Sequence, residues 1–167
     1  MSAVLHLVSR APEETQRIGR ILGAGAAPGD VFLLVGPLGA GKTCLVQGIA
    51  WGLGVEGHAR SPTFVMAARY QGRLTLHHLD LFRVRNPEEV LDLGLEEYTS
   101  GGDVCVVEWA DRASELFPGD SVWIALEYGT GETERLITID VRSEAHSRLL
   151  LDLEGAGQAD VKARPAG

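Results

Sequence analysis

Residues 3–8 alternate weakly between apolar and polar side chains, which predicts a short first strand. After Ala11, Pro12 stands near a first helical position with Glu13 and Glu14 in the first turn, and Ile18, Ile21 and Leu22 then recur at helical spacing. This helix is expected to end near Gly23, where AGAAPGD forms a loop. Residues 30–35, DVFLLV, form a continuous apolar run, the kind of strand that a parallel sheet buries on both faces. A glycine-rich turn follows over 36–43. Residues 43–53 then read as a helix with Leu45, Val46, Ile49 and Leu53 on its apolar face.

The second half changes period. Residues 52–63 read as loop, and 64–70 with 73–79 bracket Gln71-Gly72 as a hairpin. Asn86-Pro87-Glu88-Glu89 is a helix start, with Asn as cap and Pro at the first position, and Gly94 predicts a break after it. Residues 104–107, VCVV, form another buried strand, ending at Glu108-Trp109. Residues 121–128 and 134–141 alternate about the turn Gly129-Thr130-Gly131, a second hairpin. Residues 144–153 predict a last helix. The fold class that results is α/β, with a parallel core sheet, flanking antiparallel strands and helices on both faces. It is expected as one domain over 1–153, with residues 154–167, rich in Gly and Ala and without periodicity, as a disordered tail.

Composition narrows the function. With 167 residues, 45% of them hydrophobic and 23% charged, the chain has enough apolar material for a core without metal or disulfide staples. No apolar run approaches the ~18 residues of a membrane span, and the first ten residues lack the pattern of a secretory signal. Cys44 and Cys105 are too few for a disulfide scaffold, so a reducing cytosol is expected. A net charge of −8 argues against strong direct binding to nucleic acid or to an anionic membrane. Lys42 and Lys162 are the only lysines among 15 basic residues, so a lysine at position 42 reads as required.

That lysine lies in Gly36-Pro37-Leu38-Gly39-Ala40-Gly41-Lys42-Thr43, which fits G-x-x-x-x-G-K-[ST] at every fixed position, with a strand before it and a helix after it. Glycines in such a loop let successive N–H groups face an anion at a helix N-terminus. Lys42 reaches phosphate oxygens as a point charge, and Thr43 offers a hydroxyl to Mg²⁺. Two acids are candidates for the magnesium side: Glu108, at the end of VCVV, and Asp80, at the end of the preceding strand. Ser61-Pro62-Thr63 is either a phosphate-sensing loop or a plain turn. Trp109 either flanks the nucleotide or packs in the core. His77 and His78 point to opposite strand faces, with one expected packed and the other exposed. Cys44 follows the motif, where a helix dipole lowers a thiol's pKa, although a small buried thiol is the simpler reading. Arg69, Arg73, Arg83 and Arg85 gather around the hairpin and Asp80 and read as a solvated face, with a phosphate contact or a docking patch left open.

LGAGKT (38–43), SPTF (61–64), HLDLFR (78–83), NPEE (86–89) and VEW (107–109) occur in an order that resembles the bacterial TsaE family, small ATPases needed for the threonylcarbamoyladenosine modification of tRNA. The resemblance implies a P-loop NTPase-like fold, ATP and ADP as ligands, Mg²⁺, and weak intrinsic hydrolysis. It implies catalytic roles for Lys42, Asp80 and Glu108, with Thr43, Asp80 and Glu108 at the metal. Nucleotide contacts are implied for Gly36, Leu38, Gly39, Ala40, Gly41, Lys42, Thr43, Cys44, Ser61, Thr63, Trp109 and Gly131. It further implies a cytoplasmic protein that supports turnover of the transferase TsaD and its paralogue TsaB, with tRNA met through that complex. Pro37 departs from the family, which usually has Asp there. Two other readings of the loop are a small-molecule kinase and a nucleotide-dependent interaction module without hydrolysis. A GTPase is disfavoured because no N-K-x-D sequence occurs.

Overall fold

The structure, a computed structural model, describes residues 2–59, 67–156 and 162–165. Among the described residues, eight strands make one mixed sheet: β1 (Ala3–Ser9), β2 (Val31–Val35), β3 (Ala67–Gln71), β4 (Thr75–Asp80), β5 (Val104–Glu108), β6 (Val122–Tyr128), β7 (Arg135–Val141) and β8 (Lys162–Pro165), in the spatial order β3-β4-β5-β2-β6-β7-β1-β8. β4, β5, β2 and β6 run parallel, and the remaining neighbours pair antiparallel. The helices are α1 (Pro12–Ala24), α2 (Lys42–Gly52), α3 (Pro87–Leu91), α4 (Leu95–Thr99) and α5 (Ser147–Gly155), with 3₁₀ segments at Ala110–Leu116 and Glu144–His146.

The apolar run of β2 has the buried position its sequence predicts. Phe32, Leu33 and Leu34 are fully buried because β2 lies between β5 and β6 with a hydrophobic layer on each face. One layer holds the apolar sides of α1, α2 and α5, including Ile18, Leu22, Leu45, Ile49 and Leu149. The other holds Val84, Val90 and Leu95 from the segment after β4 and Phe117 after β5. Each such side chain contributes about 1.5–3 kcal/mol on burial.

α1 and α2 meet backbone to backbone. A Cβ on Gly48 would lie 2.2 Å from the Gln16 carbonyl oxygen, and one on Gly19 would lie 2.8 Å from Gly48 Cα. Gly23 and Gly52 repeat the contact one turn further on, against the Ile49 and Arg20 carbonyls. Glycine at i and i+4 on both helices thus sets how closely the phosphate-loop helix is clamped to its neighbour.

Several local expectations change. The first hairpin turns at 72–74 rather than at 71–72, because Gly72 passes so close to the Leu53 carbonyl that a Cβ would lie 2.3 Å from it. Arg73 is no free cation: its guanidinium reaches the Gly23, Ala24 and Ala26 carbonyls, closing the C-terminal end of α1. The last helix runs to Gly155, and Lys162–Pro165, read from sequence as part of a disordered tail, pairs antiparallel with β1. A four-residue strand without alternation draws its stability from an open sheet edge, which sequence pattern does not display.

The glycine contact predicts a sign reversal. In an isolated helix Gly→Ala stabilises by about 1 kcal/mol, yet Gly48→Ala here forces backbone apart and is expected to destabilise by about 1–3 kcal/mol. Thermal denaturation checks this, at roughly 2–4 °C per kcal/mol for a chain of this size. A variant as stable as the parent would contradict the close crossing.

Candidate functional site

The C-terminal edge of the parallel strands collects the predicted chemistry. In the register of β4 and β5, Asp80 pairs with Glu108, and in that of β2 and β5, Leu34 pairs with Glu108. In-register residues of neighbouring parallel strands share a face, so the two acids stand side by side where β2 runs into its glycine loop.

The loop is held from both sides. Gly36 leaves β2 so close to β6 that a Cβ would lie 2.4 Å from the Leu126 carbonyl oxygen. Gly41, the N-cap of α2, has φ of 101°, a left-handed conformation that a side chain would strain. Four successive carbonyls are engaged. Lys42 Nζ donates to Gly36 O at 2.5 Å and to Pro37 O at 2.8 Å, Tyr128 Oη donates to Leu38 O, and Arg135 donates to Gly39 O at 3.4 Å. With its carbonyls held, the loop's remaining offer to an anion is its N–H groups at the start of α2. The departure at position 37 leaves this frame intact, since the frame uses the Pro37 carbonyl, which also accepts from Ala40 N.

Thr43 Oγ1 donates to Glu108 Oε1 at 3.0 Å, and His78 Nε2 lies 2.6 Å from Glu108 Oε2. Glu108 is 3% exposed and His78 is fully buried. Asp80 Oδ1 accepts the Phe82 backbone N–H at 2.9 Å, which fixes the turn leaving β4. Trp109 closes the wall opposite the loop. It has φ of 58° and ψ of 37°, the only positive φ on a non-glycine among the described residues. This conformation, which costs roughly 1–2 kcal/mol, accompanies a ring placed 4.0 Å from Lys42 Nζ and 5.0 Å from the Phe82 ring. The ammonium over an aromatic face returns about 0.5–2 kcal/mol. The result is an open cleft of about 380 Å³ lined by Leu38, Gly39, Gly41, Lys42, Thr43, Cys44, Asp80, Phe82, Glu108 and Trp109.

Burial dominates the electrostatics. It pushes the Lys42 ammonium below the usual lysine range, against the pull of Glu108, Asp80 and Asp111. It pushes the Asp80 carboxyl up, against the Phe82 N–H bond; Glu108 adds to the rise while His78 and Lys42 oppose it. The Cys44 thiol is raised too, by burial and then by Glu13, and is half-buried rather than fully buried as the simpler reading has it; its Sγ–H donates to Pro12 O.

The predicted site residues therefore divide. Lys42, Thr43, Asp80, Glu108 and Trp109 converge, with Leu38, Gly39, Gly41 and Cys44 on the same walls. Gly36 and Ala40 support the loop from behind the cleft, Ala40 fully buried. Gly131 is not among the residues lining the cleft; it belongs to the exposed β6–β7 turn, where its carbonyl accepts Glu134 N. Ser61 and Thr63 lie outside the described residues. Sequence reasoning missed His78, Phe82, Tyr128 and Arg135. His78 and Phe82 left a trace as members of HLDLFR, and His78 stands two residues before Asp80 and so on the same strand face. Both histidines are buried, against the expectation of one exposed, because His77 finds Asp103 at 2.8 Å.

The raised Asp80 carboxyl predicts a titration. In ligand-free protein, Asp80 should gain its proton at a pH above the 3.8 of an ordinary aspartate, so its charge is lost earlier as pH falls. Carboxyl ¹³C NMR with Asp80→Asn for assignment checks this; a midpoint at or below 3.8 would show that burial does not dominate.

The family described as threonylcarbamoyl adenosine biosynthesis protein TsaE matches residues 9–137. The tRNA threonylcarbamoyladenosine biosynthesis protein TsaE of Treponema pallidum (strain Nichols) is 43% identical over 122 residues, covering 73% of this chain and 90% of its own. The protein of that name from Bacillus subtilis (strain 168) is 41% identical over 143 residues, covering 85% and 89%. The crystal structure of Bacillus subtilis YdiB superposes with a TM-score of 0.78 at 36% identity, over 94% of this chain and 98% of that one. With its family match spanning the phosphate loop and both acids, this chain belongs to the TsaE family.

Proposed function

We propose that this protein binds ATP with magnesium, hydrolyses it slowly on its own, and thereby supports formation of threonylcarbamoyladenosine in tRNA by TsaD with TsaB in the cytoplasm. The observation that carries the reading is the convergence of Lys42, Thr43, Asp80 and Glu108 on one cleft at the mouth of a glycine loop. The residues fit both ligands. The α2 N-terminus opens through a left-handed glycine, and Thr43 Oγ1 and Glu108 Oε1 are oxygen donors of the kind a hard divalent cation takes.

Each side chain has a part in that chemistry. Lys42 exchanges the Gly36 and Pro37 carbonyls for phosphate oxygens, burial lowering its ammonium pKa while Glu108, Asp80 and Asp111 pull the other way. Bound magnesium supplies charge neutralisation at the phosphates. Thr43 and Glu108 orient their oxygens toward that charge. Asp80, more basic than an ordinary aspartate, accepts a hydrogen bond from the attacking water. Phe82 and Trp109 shield the wall on which this happens. Among the described residues no helix is long and apolar enough to cross a membrane. With a net charge of −8, the basic surface that tRNA needs is assigned to the partner proteins.

Lys42→Ala should retain the melting temperature to within a few degrees and weaken ATP binding roughly 10- to 100-fold, the loss of a charge-assisted contact. Calorimetry in magnesium buffer measures it; wild-type affinity in the variant would remove the phosphate-loop assignment. In a mixture of TsaD, TsaB, tRNA, threonylcarbamoyl donor and ATP, adding this protein should raise the number of modified tRNAs per transferase. Turnover independent of its presence would leave nucleotide binding standing and remove the biological role.

A further inference from the structure

We propose that His78 is a positioning residue for Glu108, presetting its carboxylate with Thr43 as a pair of oxygen donors for the divalent cation. The inference rests on the nucleotide–magnesium reading above and goes beyond it by assigning a residue that touches neither ligand.

Glu108 lies at the end of β5 with both carboxylate oxygens engaged: Oε1 accepts from Thr43 Oγ1 at 3.0 Å, and Oε2 lies 2.6 Å from His78 Nε2. The imidazole is fully buried on β4, two register positions back from the Asp80–Glu108 pair and on the same face. Its Nδ1 is buried with no hydrogen-bond partner among the described residues. A carboxylate oxygen can only accept, so Nε2 carries the proton that it donates to Glu108. A buried polar atom without a partner is unfavourable, so the ring's place is set by what its other nitrogen does. That nitrogen grips the buried acid of the cleft. The carboxylate plane is thereby fixed by two donors on two different elements, β4 and α2, before any cation arrives. Partners of this kind, which orient a metal-binding oxygen from behind, alter metal affinity 10- to 100-fold when removed.

The molecule contains its own control. His146 Nε2 lies 2.9 Å from Asp30 Oδ1, also buried, also with an unpartnered Nδ1. Asp30 precedes β2, at the opposite end of the strand from the glycine loop, and its carboxylate also receives Arg148 and the Ala27 N–H. The same chemical pair there ties α5 to the sheet and faces no cleft residue. If His78 were only a packing residue, removing either histidine would have the same kind of effect.

The test uses full-length protein and a fluorescent ATP analogue, titrated once in EDTA and once with increasing Mg²⁺. His78→Leu should bind nucleotide in EDTA as the parent does, yet need about 10- to 100-fold more Mg²⁺ for half-saturation. His78→Gln, whose amide nitrogen reaches the place of Nε2, should recover most of that shift, whereas His78→Asn, whose amide stops short, should not. His146→Leu should lower the melting temperature without moving the Mg²⁺ midpoint. A folded His78→Leu with the parent midpoint overturns the proposal, as does a midpoint shift equal in His146→Leu. If His78→Leu fails to fold, the Gln and Asn variants decide: a Gln midpoint near the parent with a shifted Asn midpoint supports the proposal, and equal midpoints overturn it. Parent protein that takes up no nucleotide in either buffer overturns the phosphate-loop reading and this inference with it. Parent binding with unmoved His78 variants overturns this inference alone.

Discussion

A carboxylate buried at the end of a parallel strand needs donors, because desolvating an unpaired charge is far more unfavourable than any single packing contact is favourable. Glu108 meets that requirement with Thr43 from α2 and His78 from β4. Those two hydrogen bonds hold three elements in fixed relation: the strand carrying the acid, the helix carrying the phosphate loop and the strand carrying Asp80. The site follows from satisfying this one group, and displacing α2 or β4 would take away one of its donors.

The surrounding architecture keeps that relation exact to within small tolerances. The glycine-to-glycine crossing of α1 and α2 leaves no room for the phosphate-loop helix to slide. The β6–β7 hairpin reaches back through Tyr128 and Arg135 to hold the loop's outer carbonyls, while Lys42 holds the inner ones. Arg135 also lies 4.9 Å from the Tyr128 ring centre, so the two hairpin contacts support each other. Strain is concentrated at Trp109, whose left-handed backbone turns the chain away from β5 and sets the indole against Lys42 and Phe82. A local backbone penalty offset by contacts of the same residue is typical of a functional wall rather than of a core position.

Much of this was legible in the chain itself. The run 31–35 and VCVV are apolar at every position, and only burial on both faces of a sheet accommodates that, so the parallel core followed from composition alone. The glycine loop with Lys42 and Thr43 was legible because its chemistry requires contiguous residues at fixed spacing. Glu108 and Asp80 were legible because each ends an apolar strand. His78, Tyr128 and Arg135 were not, since each acts through a partner 30 or more residues away. Arg73 looked like a surface cation because nothing nearby in sequence reveals the helix end that it closes. The residues at 162–165 looked structureless because an edge strand borrows its order from the strand beside it.

The sequence by itself determined which groups the protein owns and which of them are contiguous: a loop able to hold an anion, a lone lysine within it, and two acids at strand ends. Local spacing and burial periodicity act over a few residues, so they survive translation into structure almost unchanged. What the tertiary structure decided is which acid is buried and which donors reach it, and which ring stands over the lysine. Those outcomes depend on strand register and helix approach, set by packing between segments far apart along the chain.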